Sequence, residues 1–265
     1  MIGPALLLLA AQPLPSAPQS FVPSPAAPSV AAPAQFAPPT DRPMVYRVTT
    51  RRRARDGSMA SYTLVYDLQW SRAGRGVRLV ATLRAIESDA APQVARAVTG
   101  MLGPLIDQPV TYLIAPDGSG ITLVDPEALW QQVLGRAHDL GASAAQGEAK
   151  QMAGLLAALP PAEREKLATA DVRALVAAAN PAIEHGSPGL SAGQTGTLRT
   201  VTKSETAAVK AGAEGKEPIE IDTAWTIDTT TGLVVNERRR TWIAAAGADK
   251  RTLVEERIRA LAAED

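Results

Sequence analysis

The chain has 265 residues, with 27 Lys and Arg against 27 Asp and Glu and a formal net charge of zero at pH 7. That balance speaks against a dedicated nucleic-acid binder, whose affinity rests on an excess of basic groups. The absence of cysteine excludes disulfides, cysteine-based zinc and redox sites, and acylation at a lipobox cysteine.

Aromatic residues make up 4% of the chain. The core must therefore be mostly aliphatic, with anchors at Trp70, Trp130, Trp225 and Trp242. Residues 5–11 read Ala-Leu-Leu-Leu-Leu-Ala-Ala. The run is far too short to cross a bilayer, which takes about 20 apolar residues. It suits the apolar region of a secretory signal peptide over residues 1–12, although no Lys or Arg precedes it. The expectation is a periplasmic or secreted protein; the plainer alternative is a mildly apolar tail. Residues 13–43 are rich in Pro and Ala. Proline fixes φ and donates no N–H, so this stretch is expected to be an unpacked, disordered spacer. One α+β domain is expected over 44–265.

The domain opens on strand patterns. Met44, Tyr46 and Val48 share one face, and Asp56-Gly57 is a favoured hairpin dipeptide. Tyr62, Leu64, Tyr66, Leu68 and Trp70 alternate with Ser61, Thr63, Val65, Asp67 and Gln69, and Val77, Leu79, Ala81 and Leu83 repeat the period of two. A three-stranded antiparallel meander follows. Over 92–103 the period becomes helical, through Val94, Val98, Met101 and Leu102. Val110, Tyr112 and Ile114 make a strand, Pro116-Asp117-Gly118 a turn, and Ile121 with Leu123 the return.

Asp125-Pro126-Glu127 is a helix start, with Asp at the N-cap and Pro in the first turn. The helix carries Leu129, Trp130, Val133 and Leu134. A second helix is expected over 144–159, with Met152, Leu155, Leu156 and Leu159 on one stripe. A third starts after Pro160-Pro161, carries Leu167, Ala174 and Leu175, and has a break near Asp171. Residues 185–196 read as a glycine-rich loop, 198–204 as a strand and 207–215 as a flexible connection. Ile219, Ile221, Thr223, Trp225 and Ile227 then line one face of a strand that returns through Leu233-Val234-Val235 to Trp242. The last segment, 249–261, fits both a strand and a helix by pattern; a strand is the expectation in this context.

Little in the chain points to catalysis. Gly189-Leu190-Ser191-Ala192-Gly193 matches a nucleophile elbow, but that device needs a strand before the serine, a helix after it and a later histidine. No histidine follows His185. His138 and His185 lack the spacing of a metal site, and Asp117-Gly118-Ser119-Gly120 is a hairpin turn without the further acids of a calcium loop. No enzyme activity, metal or cofactor is expected. Two basic clusters do stand out: Arg51 and Arg53 with Arg52, and Arg238 and Arg240 with Arg239. If their strands pair, both border one edge of the sheet. They would then dock anionic head groups of a membrane surface or an acidic envelope protein, or simply protect the edge from aggregation.

The expected fold is α+β: a large curved antiparallel sheet of about eight or nine strands, barrel-like but incomplete, with the central helices packed on its apolar face. This order of elements resembles the periplasmic lipoprotein-carrier fold of LolA and LolB. The segment Trp225-Thr226-Ile227-Asp228-Thr229-Thr230-Thr231-Gly232-Leu233 is similar to a stretch of uncharacterised exported bacterial proteins. The paired apolar stripes of strands and helices lead to the expectation of a non-enzymatic carrier that holds a lipid or other hydrophobic small molecule between sheet and helices. Trp70, Trp130, Met152, Leu156, Trp225 and Trp242 are candidates for the apolar lining. The alternative is a cell-envelope interaction or scaffold module with a filled core.

Overall fold

The structure, a computed structural model, describes residues 35–54, 56–142, 154, 158–183, 189–208, 218–244 and 251–263. Ten strands form one antiparallel sheet that does not close, in the order β5-β4-β3-β2-β1-β10-β9-β8-β7-β6. They are β1 (Met44–Arg53), β2 (Met59–Ala73), β3 (Gly76–Ser88), β4 (Pro109–Ile114) and β5 (Ile121–Leu123), then β6 (Leu190–Thr195), β7 (Leu198–Ala208), β8 (Pro218–Asp228), β9 (Leu233–Ala244) and β10 (Arg251–Ala263). Each half is a meander. The two halves meet where β10 pairs with β1, in a register from Met44 opposite Ala263 to Arg52 opposite Glu255.

That junction settles the last segment. Its Glu-Glu-Arg-Ile-Arg-Ala-Leu run has good intrinsic helix propensity. A strand between β1 and β9 gains backbone partners on both sides, and such tertiary pairing overrides a weak local preference. Among the described residues, helices α1 (Pro92–Leu102), α2 (Pro126–Ala142) and α3 (Pro161–Leu175) lie between the meanders in the chain. Proline occupies the first turn of α1 and α3, where a missing N–H is harmless. Short 3-10 turns at Ala177–Ala179 and Pro181–Ile183 follow α3.

Sheet and helices share one apolar core. Val48, Trp70, Leu79 and Leu83 from the strands are buried with Leu129, Trp130 and Val133 from α2 and with Val172 and Leu175 from α3. A smaller cluster of Ile183, Val201, Trp225, Ile227 and Val234 lies under the turns after α3. Among the described residues, no helix is long and apolar enough to cross a membrane.

Several expectations change. The sheet has ten strands rather than eight or nine. Leu190–Thr195, read as part of a glycine-rich loop, is the outer strand β6. Its side chains are exposed apart from half-buried Leu190, so no burial pattern marked it; pairing with β7 alone makes it a strand. Helix α3 runs unbroken through Asp171 to Leu175. Of the connection expected over 207–215, residues 207–208 belong to β7, where they pair with β8; its remainder and the helix expected over 144–159 lie outside the described residues, apart from 154 and 158–159.

The last residues of the expected spacer are packed. Phe36 is buried and meets Trp70 edge-on at 6.2 Å, and the Ala37 N–H donates to the Thr231 carbonyl at 2.9 Å. Two turns leave room for this strap. Gly118 has φ 79°, and a Cβ there would lie 3.0 Å from Phe36 Cγ. Gly232 has φ 70°, and a Cβ there would lie 2.8 Å from the Gln35 carbonyl oxygen.

Candidate functional site

Between sheet and helices lies a cavity of about 360 Å³. Strand residues Leu64, Leu68 and Leu83 form its floor, and Leu129, Val133 and Val172 from α2 and α3 line it from the helical side. The alternation of β1 to β4 places these strand residues on one face, and the helical spacing of α2 and α3 brings Leu129 with Val133 and Val172 with Leu175 to the same space. Leu167 also lines the cavity and is 56% exposed, so the cavity reaches the surface beside the middle of α3.

The lining also carries Tyr46, Tyr66, Tyr112, Gln108 and Asp171. Tyr46, whose ring centroid is 6.4 Å from that of Tyr66, stands beside Asp171 and makes this end of the cavity polar. The Tyr46 hydroxyl donates to the Asp171 carbonyl at 3.5 Å, and the Tyr112 hydroxyl donates to the Ala168 carbonyl at 2.8 Å. Both bonds tie α3 to the sheet. Behind them, one Asp171 carboxylate oxygen accepts from Arg257 Nη2 at 2.9 Å and from Arg259 Nε and Nη2 at 3.2 and 2.9 Å. Arg259 also pairs with Glu237, which is only 4% exposed. Val48, Arg259, Glu237 and Trp225 follow one another across β1, β10, β9 and β8 on this face.

The electrostatics follow from burial and pairing. Burial is the largest influence on Tyr46, Tyr66 and Tyr112 and pushes all three phenols up; Asp171 adds to the rise at each. None is poised to ionise near neutrality. Burial disfavours the charged form of Arg259, but the neighbouring Asp171 and Glu237 carboxylates outweigh it, so its guanidinium is held more firmly protonated than usual.

The expected apolar-lining residues do not converge. Trp130 lines the cavity, with the Arg164 guanidinium 5.9 Å from its ring centroid. Trp70 is fully buried beside Phe36 and is not on the lining. Trp225 belongs to the smaller cluster. Trp242 lies on the opposite face, where its Nε1 donates to Asp222 at 3.0 Å and Arg251 sits 4.4 Å over its ring. Met152 and Leu156 lie outside the described residues.

The arginine clusters do not border an edge. β1 and β9 flank β10 within the sheet, whose outer strands are β5 and β6. Arg51, Arg238 and Arg240 converge on Glu256, at 3.2, 2.6 and 3.0 Å. Glu256 is 3% exposed. Arg53 is exposed beside the Gly57 turn. Arg52, one residue out of phase, pairs with Glu255 at 2.6 Å. Edge protection is thus removed as an explanation of these residues, because they are not at an edge.

Ser191 sits on β6 and its hydroxyl is 2.6 Å from that of Thr202. The neighbouring elements are strands rather than the strand and helix of a nucleophile elbow. His185 lies outside the described residues, as does the side chain of His138. Among the described residues there is no cluster of three or more metal-binding side chains.

Sequence reasoning passed over the Asp171, Glu237, Arg257 and Arg259 network. Its signal was present: charges at inward positions of β9 and β10, in phase with Leu261 and Tyr46. The sequence matches no protein-family model, and no match is found among curated proteins.

Proposed function

We propose that this chain is a non-enzymatic, exported protein that holds a lipid or other hydrophobic small molecule between its sheet and its helices. One observation carries the reading: a cavity of about 360 Å³ lined mainly by aliphatic side chains from both layers. That volume falls within the range of about 300–1,000 Å³ typical of small-molecule sites. In this reading the sheet curves around the helices as an incomplete barrel, as the resemblance to lipoprotein carriers implies. The apolar N-terminal run and the proline-rich stretch support export to the periplasm or beyond.

The test is to fill the space. Ala81 is buried on the cavity floor, so Ala81→Phe puts a ring where the ligand would lie. The wild-type chain is expected to take up the uncharged fluorescent probe N-phenylnaphthylamine. The variant is expected to lose at least about tenfold in affinity while melting within a few degrees of wild type. Equal uptake by both proteins, or uptake by neither, would remove the ligand-binding reading.

A second reading, an envelope interaction module, is favoured by one feature. β6 is an outer strand of the sheet with no charged residue from Leu190 to Thr195. Uncharged outer strands are suited to strand addition by a partner.

A further inference from the structure

We propose that the cavity selects uncharged amphiphiles, with a hydrocarbon chain ending in a hydroxyl or a carbonyl, over fatty-acid anions and alkylamines, and that the Tyr66 hydroxyl recognises the uncharged polar end. This inference rests on the ligand-binding reading above and names the class of ligand.

The Tyr46 and Tyr112 hydroxyls donate to carbonyls of α3, and Gln108 donates to Gln132. Tyr66 stands on the lining, and its hydroxyl makes no hydrogen bond among the described residues. Burial and then the Asp171 charge push that phenol up. It therefore remains an O–H that can donate to a ligand oxygen and accept from a ligand donor. The arginine hydrogen bonds to Asp171 all fall on Oδ1, and its second carboxylate oxygen, Oδ2, bonds to no described residue.

The charges decide against an ionic ligand. Asp171, Glu237, Arg257 and Arg259 form one network whose formal charges sum to zero. Arg259 is held between two carboxylates, and Arg257 is turned to Asp171. A fatty-acid carboxylate entering this end would lose its water, find both guanidinium groups already held on Asp171, with the unpartnered Arg257 nitrogen Nε enclosed by protein, and face the Asp171 carboxylate. An ammonium would lose its water and face two guanidinium groups. A buried charge without a counter-charge is strongly disfavoured, whereas an alcohol or carbonyl needs only the hydrogen bond that Tyr66 offers. The aliphatic floor and roof accommodate the chain in all three cases, so the polar end sets the preference.

The experiment is competition on the full chain loaded with N-phenylnaphthylamine at neutral pH. The competitors are dodecanol, dodecanoate and dodecylamine, which share a chain length and differ in the charge of the end. Dodecanol is expected to displace the probe at about tenfold lower concentration than either ion. Tyr66→Phe is expected to reduce that preference about threefold or more, with the melting temperature unchanged as the control for folding. Displacement by dodecanoate or dodecylamine at the same or lower concentration overturns the proposal. An unaltered preference in a folded Tyr66→Phe chain overturns the role of Tyr66. If the probe binds and is displaced equally by all three, the selectivity fails and the cavity remains a ligand site. If the probe never binds, the ligand-binding reading fails and this inference fails with it.

Discussion

Arg259 and Glu256 show how differently two paired charges stabilise one sheet. Arg259 answers two carboxylates that belong to different elements, Asp171 on α3 and Glu237 on β9. Removing it leaves Asp171 with Arg257 alone and takes from Glu237, almost wholly buried, the guanidinium it pairs with. Arg259→Met is therefore expected to destabilise the fold by about 3–5 kcal/mol, read from urea denaturation. Glu256 is the reverse case, one carboxylate answering three arginines. Burial pushes its carboxyl up, but hydrogen bonds and charges from Arg240 and Arg238 outweigh this and hold it below its ordinary value of 4.5. A carboxyl depressed in the folded state contributes stability that is fully present above the unfolded value and is lost as pH falls through the folded one. Wild-type stability is thus expected to drop as pH is taken below the ordinary glutamate value. Glu256→Gln is expected to be less stable near neutrality and to show a shallower acid dependence, measured as denaturation midpoints across pH.

At the scale of elements, the strap at 35–39 and helix α3 hold opposite kinds of contact. The strap is held by apolar packing of Phe36 on Trp70 and by the room left at Gly118 and Gly232. Phe36→Ala removes that ring from the core and is expected to cost about 3 kcal/mol or more in urea unfolding. A spacer that ended before Gln35 without touching the sheet would lose nothing measurable by the same substitution. Helix α3 combines apolar burial at Val172 and Leu175 with the polar ties of Ala168 and Asp171. The polar ties explain why a charged residue stands mid-helix without breaking it. Asp171 has low helix propensity, and its bonds to β10 outweigh that preference.

For the whole molecule, the decisive contact is the pairing of β1 with β10, which joins residues near the two ends of the domain. Without β10, β1 and β9 would each expose a full row of backbone N–H and C=O groups, and Arg51, Arg238 and Arg240 would lose Glu256. A chain truncated after residue 250 is expected to show no cooperative unfolding transition, checked by near-ultraviolet circular dichroism during a thermal scan. A cooperative transition near that of the full chain would show that the two meanders are stable apart. Such long-range pairing also places folding at the slow end, on the order of milliseconds to seconds or longer.

The sequence by itself determined the strands whose buried and exposed faces alternate. Tyr62 to Trp70 and Ile219 to Ile227 carry their period of two in the residues themselves, because one side of each strand meets the core. It also determined the helix starts at Pro126 and Pro161, where proline and its neighbours act locally. Tertiary structure decided what local pattern leaves open. β6 is a strand only because β7 lies beside it, and 251–263 is a strand only because two neighbours outweigh its helix propensity. The cavity formed where two apolar layers do not fully interlock, a property of fit between distant side chains that no single stretch encodes. The charge network at its polar end required the same long-range registers to bring Asp171, Glu237, Arg257 and Arg259 together.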